Sequence, residues 1–487
     1  VKLCSSLPYE RAQSVMAEGG INAALNTKDE NDSPEEHFTD TIKAACGLAD
    51  PNAVWGMTQA APELVHWLLK LGVKFNMSGY DDVDLRNFGG QKKKRTAFAQ
   101  SDTGKQIMTA MIDAVRRKEA SGMVERFSHH SFLTLRLCGN ICCGCVIRDE
   151  YSQETVELPG DAVIVATGGM HGLFGNTTGS LSNTGEVTAE LFRLGVPLAN
   201  GEMIQYHPTT VKCGGKRMLI SEAARGEGGR LFAMKDGKQW YFMEEKYPEL
   251  GNLMPRDITA REIWKVSHES EVFLDMTEIS DEIISNKLSG LADDCMTYLH
   301  KDIRKEPVSV LPGIHYFMGG ILVDEQHRTP IQNLYAAGEC CAQYHGANRL
   351  GGNSLLGALY GGRVAAKSAC EQADVVDLSC ATQIDFPPAS QISEIKQLNK
   401  VMQETMGVVR NENTLLNGIQ TVQALTGNLP LLGMAVLKSA LARKESRGAH
   451  WREDYPKSND DDYLKTTVAR FDGKQIQISF VPVPERR

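Results

Sequence analysis

Short apolar segments alternate with amphipathic segments over residues 1–195 and again over residues 317–375. Short apolar runs predict buried strands, whereas apolar positions spaced by three and four predict helices that bury one face. The predicted strands are at 1–6 and 334–337, and the predicted helices are at 34–48, 51–72, 104–119 and 355–366. Strands that alternate with helices in this way predict an α/β fold.

Three residue pairs mark the starts of predicted helices. Asp50-Pro51 places a capping side chain before a proline, which favours the first helical turn. Asp102-Thr103 and Asn353-Ser354 supply the side-chain oxygens that commonly cap helix N-termini. The region between the 104–119 helix and residue 165 alternates like β-structure, with Gly139-Asn140 as a hairpin turn. It ends in DAVIVATGG, a buried strand that runs into glycines at the carboxyl edge of the sheet.

The α/β alternation weakens between residues 196 and 316, where polar residues stand in short clusters around a helical stretch at 281–302. This change predicts a second domain inserted into the first. A linker containing Pro387-Pro388 follows the return of the α/β pattern. Helical periodicity then extends from 392 to about 445, and a polar tail contains a single predicted strand at 475–482.

Composition excludes several classes of protein. The chain has 487 residues, of which 42% are hydrophobic and 23% charged, as in globular proteins of several domains. Its net charge of −9, with Lys92–Arg95 as the densest basic run, argues against nucleic acid as a partner. No apolar run approaches the roughly 18 residues of a membrane span. The cysteines at 138, 142, 143 and 145 lack the spacing of a CxxC…CxxC site, so we expect no metal centre.

Candidate chemistry is densest in residues 331–363. Gly338-Glu339 follows a predicted strand, where glycine lets the backbone approach a ligand and the carboxylate can accept two sugar hydroxyls. Arg349 is a candidate anion ligand, and the helix start at Asn353-Ser354 attracts negative charge. The stretch predicts a dinucleotide cofactor beside an anionic substrate; the alternative is an ordinary loop with a solvated arginine.

Five basic or donor side chains stand in similar settings rich in glycine, proline or aromatic residues: Arg225, Arg256, Arg349, His207 and His315. Any one histidine could be a satisfied core residue, but the set suits a small dicarboxylate, because arginine pairs with carboxylates through two hydrogen bonds. Glu222 lies three residues before Arg225, so one helical turn could align a carboxylate and a guanidinium for proton relay. An arginine protonates only a strongly basic carbon, such as one left by hydride addition to an alkene, and a flavin supplies hydrides.

The order of motifs resembles the flavoprotein subunits of the succinate dehydrogenase/fumarate reductase family, which also contains L-aspartate oxidase. Those motifs are AEGGINAAL, RNFGG, ATGG, QYHPT, SEAARGEGG, PRD, HYFMGG, GECC, HGANRLGGNSLLG and ESRGAHWREDYP. The resemblance implies an FAD-binding Rossmann-like domain interrupted by an α+β capping domain, with a C-terminal helical domain. The implied boundaries are 1–195 and 317–375 for the FAD domain, 196–316 for the cap and 390–487 for the C-terminal domain and tail.

The resemblance also implies roles for the residues that match each motif. Arg256 of PRD would deliver the proton, and Glu222 and Arg225 would relay it. The implied substrate-binding residues are His207, Ser221, His315, Arg349 and Phe88. The implied FAD-binding residues are Ala17, Gly19, Gly20, Ala166, Thr167, Gly168, Glu186, Glu339, Asn353, Ser354 and Leu355.

The sequence departs from the family pattern at several points. The GxGxxG turn and its strand are not found, which implies a preceding segment of about 25 to 30 residues. Gln13 stands where membrane-complex members carry the histidine that links FAD covalently, so we expect non-covalent FAD. Glu186 replaces the aspartate of the family's TGD motif, and Gly357 stands where relatives often have an acidic residue.

The implied activity is that of an FAD-dependent fumarate reductase/succinate dehydrogenase, with fumarate reduction favoured because non-covalent flavin has the lower potential in this family. Phe88 argues against L-aspartate oxidase, in which an acidic residue in this region can bind the amino group. L-aspartate oxidase, another enoate reductase and an inactive flavin-fold scaffold subunit remain the alternatives. An external electron donor or an iron–sulfur partner subunit is expected, as is a cytoplasmic location with membrane association through partner subunits.

Overall fold

The structure, a computed structural model, describes residues 1–80, 82–375, 384, 386 and 391–487. Its strands are β1 (Lys2–Ser5), β2 (Ile21–Asn22), β3 (Leu85–Arg86), β4 (Thr96–Ala97), β5 (Glu125–Ser128), β6 (His130–Cys138), β7 (Ile141–Asp149), β8 (Thr155–Pro159), β9 (Val163–Val165), β10 (Leu198–Ala199), β11 (Ile204–Cys213), β12 (Lys216–Leu219), β13 (Arg230–Lys235), β14 (Lys238–Trp240), β15 (Val272–Asp275), β16 (Val308–Ser309), β17 (Leu311–Phe317), β18 (Gly320–Leu322), β19 (Leu334–Ala336), β20 (Cys341–Ala342), β21 (Lys465–Phe471) and β22 (Ile476–Pro482). Its α-helices are α1 (Pro34–Ala44), α2 (Pro51–Leu71), α3 (Thr103–Ala120), α4 (Glu186–Arg193), α5 (Glu222–Gly226), α6 (Phe242–Lys246), α7 (Arg256–Val266), α8 (Asp281–Lys287), α9 (Ser289–Asp294), α10 (Asn353–Gln372), α11 (Ile392–Thr405), α12 (Glu412–Val422), α13 (Asn428–Ala442) and α14 (Asp460–Tyr463).

Two pairs of parallel strands carry the predicted α/β pattern. β1 pairs with β5, and β19 pairs with β9 in the register Leu334 to Val163. The helix α10 packs against both β9 and β19, so it runs beside the carboxyl edge where those strands end. The predicted α/β class and the predicted strands at 1–6 and 334–337 are confirmed.

The predicted helix starts are confirmed in position but not always in capping. The Asp50 side chain accepts hydrogen bonds from the amides of Asn52 and Ala53, as expected of an N-cap. Asp102 occupies the N-cap position of α3 but makes no side-chain cap bond, so that part of the prediction is wrong. The helix at 353 also differs, since its N-cap is Gly352 and neither Asn353 nor Ser354 serves as the cap.

Residues 204–317 form two antiparallel sheets of their own. Their strand orders are β12-β11-β17 and β14-β13-β15-β16. A hydrophobic cluster that extends from Ile220 to Val310 packs beneath these sheets, with Phe88 as its one buried member from earlier in the chain. The short helices α8 and α9 and a π-helical turn at Cys295–Leu299 account for the helical stretch predicted at 281–302 as far as Leu299.

The C-terminal region is helical and then β-structured. The helices α11, α12 and α13 pack on one another, and α13 packs on α4. The tail holds two strands where the sequence predicted one: β21 pairs with β22 and extends the sheet β20-β18-β10-β21-β22. Pro387 and Pro388 lie outside the described residues. Every helix in the described ranges is too short or too polar to span a membrane.

Candidate active site

A cavity of about 630 Å³ is lined by residues of β11, β12 and β17, by the start of α7, by the segments after β9 and β19, and by α10. It collects most of the site residues that the sequence predicted. Those in its wall are Ala17, Gly19, Gly20, Phe88, Ala166, Gly168, His207, Ser221, Glu222, Arg256, His315, Glu339, Arg349, Ser354 and Leu355. Side chains from distant parts of the chain therefore face one space.

Arg256 is the first residue of α7 and is tied to a buried carboxylate. Its Nε and Nη2 donate to Glu222 Oε2 at 2.8 and 2.6 Å, and its Nη1 donates to Gln205 Oε1 at 3.1 Å. The other oxygen of Glu222 accepts from Arg225 Nη2 at 3.2 Å. Burial alone would raise the pKa of Glu222, but the charges of Arg256 and Arg225 lower it below its usual value. Two guanidinium groups thus share one ionised carboxylate, and the spacing in the sequence had indicated only the pair of Glu222 and Arg225.

Arg349 lies in the same cavity without a counter-ion. Its side chain is buried, its Nε has no hydrogen-bond partner, and no described carboxylate forms an ion pair with it. Its guanidinium carbon stacks 4.3 Å from the centre of the Tyr316 ring. Burial and the nearby charge of Arg256 lower the pKa of Arg349 to about 9. A buried, unpaired cation is costly, so this group is prepared for an anion from outside the chain.

Two histidines adjoin these cations and are neutral. The rings of His207 and His315 are 5.1 Å apart and meet edge to face. His315 Nδ1 is 2.8 Å from Thr178 Oγ1, and His207 Nδ1 is 3.1 Å from the carbonyl oxygen of Thr209. Burial and the charge of Arg256 lower the pKa of both histidines well below the usual value. The amide of Thr209 donates to His207 Nδ1 at 3.3 Å, and with that bond the hydrogen of the neutral ring is on Nε2. A neutral imidazole whose Nδ1 accepts a hydrogen bond can donate one from Nε2 to a carboxylate without adding charge.

Ser221 and Phe88 complete this end of the cavity. Ser221 is the N-cap of α5, and its hydroxyl accepts a long hydrogen bond from the amide of Ala223 at 3.4 Å. Phe88 is buried, and its ring would lie 3.1 Å from a side-chain carbon placed on Gly19. Phe88 therefore forms an apolar wall between the charged cluster and the segment that carries Gly19 and Gly20.

The segments after β9 and β19 form the opposite wall. Gly168 has a φ of +72°, and a side-chain carbon there would lie 2.5 Å from Asn183 Nδ2. Glu339 accepts a hydrogen bond from the amide of Phe317 at 3.0 Å and lies 3.6 Å from His171 Nε2. Gln13 also lines the cavity, and its amide oxygen accepts a hydrogen bond from the Ser180 amide at 2.5 Å.

Four predicted site residues do not line the cavity. Arg225 lies behind Glu222 and reaches the cavity only through that carboxylate. Asn353 is fully buried behind the first turn of α10, while Thr167 is exposed and Glu186 is exposed at the start of α4. In the described part of the chain no group of three His, Cys, Asp or Glu side chains is placed to hold a metal ion.

Sequence reasoning missed several residues of the site. Gln205 binds Arg256, and its position two residues before His207 on a strand could have indicated that it faces the same side. Tyr316 lies under Arg349, next to the predicted His315. Glu18 lines the cavity, is partnerless at Oε2, and burial raises its pKa to about 8. Nothing in the local sequence around Glu18 marks that environment.

Comparison with known proteins places these features in a family. The family described as FAD binding domain matches residues 1–355, and the family described as fumarate reductase flavoprotein C-term matches residues 425–486. The chain is 37% identical to the succinate dehydrogenase flavoprotein subunit of Bacillus subtilis, over 100% of this chain and 94% of that protein. It is 31% identical to the 8-methylmenaquinol:fumarate reductase flavoprotein subunit of Wolinella succinogenes, over 100% and 88% of the two chains.

The fold gives the same result. The structure is similar to that of E. coli quinol fumarate reductase, with a TM-score of 0.89 and 27% identity over 99% of this chain and 92% of that one. The predicted relationship is therefore confirmed. This chain belongs to the family of FAD-binding flavoprotein subunits of succinate dehydrogenases and fumarate reductases.

Proposed function

We propose that this chain is the FAD-dependent catalytic subunit of a fumarate reductase/succinate dehydrogenase, working chiefly in the direction of fumarate reduction. The observation that carries the proposal is Arg349, a buried cation in the cavity that lacks any carboxylate partner among the described residues. Arg256 lies near enough to lower its pKa further. Repulsion between two buried cations is relieved when a dianionic substrate lies between them.

Substrate binding follows from the donors around the cavity. Arg349 binds one carboxylate. Its guanidinium is planar and stacked on Tyr316, and its Nε–H has no hydrogen-bond partner in the protein, so it can donate to that carboxylate. The neutral imidazoles of His207 and His315 and the hydroxyl of Ser221 supply shorter donors to the carboxylates. Phe88 packs against the carbon chain between them and supplies an apolar ring at this position in place of a carboxylate for an amino substituent.

The residues on the opposite wall fit FAD. Gly168 has no room for a side chain beside Asn183, and Gly19 and Gly20 let the backbone come close to a planar ring. Glu339 is placed to accept ribose hydroxyls, and Ser354 and Leu355 offer the amides of a helix start. Bound FAD supplies a hydride to one alkene carbon of the substrate.

Arg256 is the proton donor in this proposal. It lines the cavity, and its guanidinium is oriented by Glu222 on one edge and by Gln205 on the other. Glu222 is held ionised, so after Arg256 has given up its proton this carboxylate can accept a proton from Arg225 and pass it on to Arg256. The 196–316 segment, which carries all four of these residues, acts as the cap that excludes water from the substrate.

Non-covalent attachment of FAD is part of the proposal. Gln13 lines the cavity at the position of the family's flavin-linking histidine, and an amide is a poor nucleophile. Precipitating the yellow holoprotein with acid should release the flavin into the supernatant. Flavin that stays with the washed pellet would show a covalent link and contradict this part of the proposal.

The electrons come from outside the chain. We propose an external donor or an iron–sulfur partner subunit, since no iron–sulfur cysteine spacing appears in the sequence. With such a partner the subunit would act on the cytoplasmic side of a membrane. The donor is not needed to test the chemistry, because an artificial reductant can replace it.

Purified holoprotein supplied with reduced viologen should consume fumarate and yield succinate in equal amounts. Oxidation of aspartate with oxygen, without consumption of fumarate, would instead identify an L-aspartate oxidase. Reduction of a different enoate alone would replace the substrate and keep the reaction class. A folded preparation with no flavin absorbance, even after incubation with FAD, would identify a scaffold subunit.

A further inference from the structure

The side chain of Asn353 is held by three partners in the interior. Its Oδ1 accepts hydrogen bonds from Asn22 Nδ2 at 2.7 Å and from His37 Nε2 at 2.9 Å. Its Nδ2 donates to Thr41 Oγ1 at 3.0 Å. His37 and Thr41 are one turn apart on α1, so two side chains of this helix form hydrogen bonds with the first residue of α10. All four side chains are buried.

The geometry fixes the chemical state of His37. Because Asn353 Oδ1 can only accept, the hydrogen of the imidazole must be on Nε2. His37 Nδ1 has no hydrogen-bond partner, and the charge that acts on its pKa is that of Arg95, which is paired with Asp32 and Asp40. Burial and the charge of Arg95 lower the pKa of His37 to about 3. His37 is therefore a neutral donor at any pH at which the protein is handled.

Because the Asn353 side chain is bonded to α1, no side chain caps the start of α10 on the side of the cavity. The N-cap of the helix is Gly352, which has no side chain, and the structure shows no side-chain cap bond. Gly352 has a φ of +84°, and a side-chain carbon there would lie 2.1 Å from Asn22 Oδ1, so no capping residue fits. Asn353 is turned away towards α1, while Gly352, Ser354 and Leu355 line the cavity. The amides and the positive end of the helix remain available to a ligand.

We propose that His37 is a positioning residue that acts through Asn353 to hold the uncapped start of α10 against the bound flavin. A helix N-terminus stabilises negative charge, and the reduced flavin is the more anionic form. Loss of the His37 donor removes one of the two hydrogen bonds that Asn353 Oδ1 accepts, so the first turn of α10 can shift. The inference rests on the proposed FAD site but not on the identity of the substrate.

The test is a redox titration of FAD-loaded variants against a reference dye, with no fumarate present. In His37→Ala the ratio of reduced to oxidised flavin at a fixed potential should fall about tenfold, which for a two-electron couple is about 30 mV. His37→Gln keeps an amide donor and should restore most of the wild-type ratio. Thr41→Val removes the acceptor of Asn353 Nδ2 and should shift the ratio in the same direction by less.

Phe38→Leu is the matched control, because Phe38 is the next residue on α1 and packs edge to face on Trp55, not on Asn353. It should lower the melting temperature and leave the flavin ratio unchanged. Equal shifts in Phe38→Leu and His37→Ala would reduce His37 to a packing role and overturn the proposal. If His37→Ala does not fold, an unchanged ratio in Thr41→Val overturns it instead. A shifted ratio in a protein that fails to reduce fumarate would keep this inference and reject only the proposed substrate.

Discussion

Replacing Arg256 by lysine is expected to lower fumarate turnover about 10²- to 10⁴-fold, the usual contribution of a general acid, while FAD is retained. Arg256 bridges Glu222 Oε2 and Gln205 Oε1 with three N–H groups that point in fixed directions. The ammonium of lysine is a point charge on a flexible chain and cannot keep both contacts while also facing the substrate. Since Arg256 is not among the residues proposed to bind FAD, the flavin absorbance spectrum should not change.

The control lies on the same helix. Arg261→Lys alters an arginine of α7 whose guanidinium stacks 4.1 Å from the Trp451 ring, on contacts unrelated to the cavity. It should keep turnover within a few-fold of wild type. A near-normal rate in Arg256→Lys, measured with reduced viologen, would remove Arg256 from the role of proton donor and leave the relay without a function.

Local spacing was enough to predict contacts within one helical turn, whereas most of the site residues came from the family resemblance. Glu222 and Arg225 are three residues apart at the start of a helix, and that spacing alone brings their side chains together. Asp50 was predicted as a cap and is one, because its partners are the next residues in the chain. Features of this kind depend on contacts within one turn, which the sequence displays directly.

The parts that could not be predicted depend on residues far apart in the chain. Asn353 looked like a cap for its own helix, but Asn22, His37 and Thr41, each more than 300 positions away, hold its side chain elsewhere. Glu18 drew no prediction from the sequence, and its burial depends on Arg86, which donates to backbone carbonyls in this segment rather than to the Glu18 carboxylate. Buried polar side chains take the best partner that the fold offers, and local preference does not decide which one.

Replacing Arg349 by methionine is expected to raise KM for fumarate about 30-fold or more, because loss of one partner of a buried charge pair costs about 2–5 kcal/mol. The same variant should be more stable than wild type without ligand. Arg349 is a buried cation with no ion pair among the described residues, held chiefly by stacking on Tyr316, and methionine fills similar space without a charge. A rise in melting temperature together with a loss of affinity marks a residue kept for function.

Arg443→Met supplies the contrast. Arg443 is as deeply buried, but it pairs with Glu202 and Glu445 at 2.7 Å each. Its removal leaves the buried Glu202 without a cation and leaves Glu445 with Arg447 alone. That variant should lose stability, by about 3–5 kcal/mol, and keep its KM. If Arg349→Met melted earlier than wild type and bound fumarate normally, Arg349 would be a structural residue.

The pH dependence of binding gives an independent measure of the same charge. With its pKa lowered to about 9, Arg349 loses its proton in the ligand-free protein at a pH where ordinary arginines remain charged. Because only the protonated form attracts a carboxylate, affinity for a dicarboxylate inhibitor such as malonate should fall as pH rises through about 9. The affinity of Arg349→Met should show no such fall, since the titrating group is gone. A fall of equal size in both proteins would assign the titration to another residue, and Arg349 would then not be the cation that binds the carboxylate.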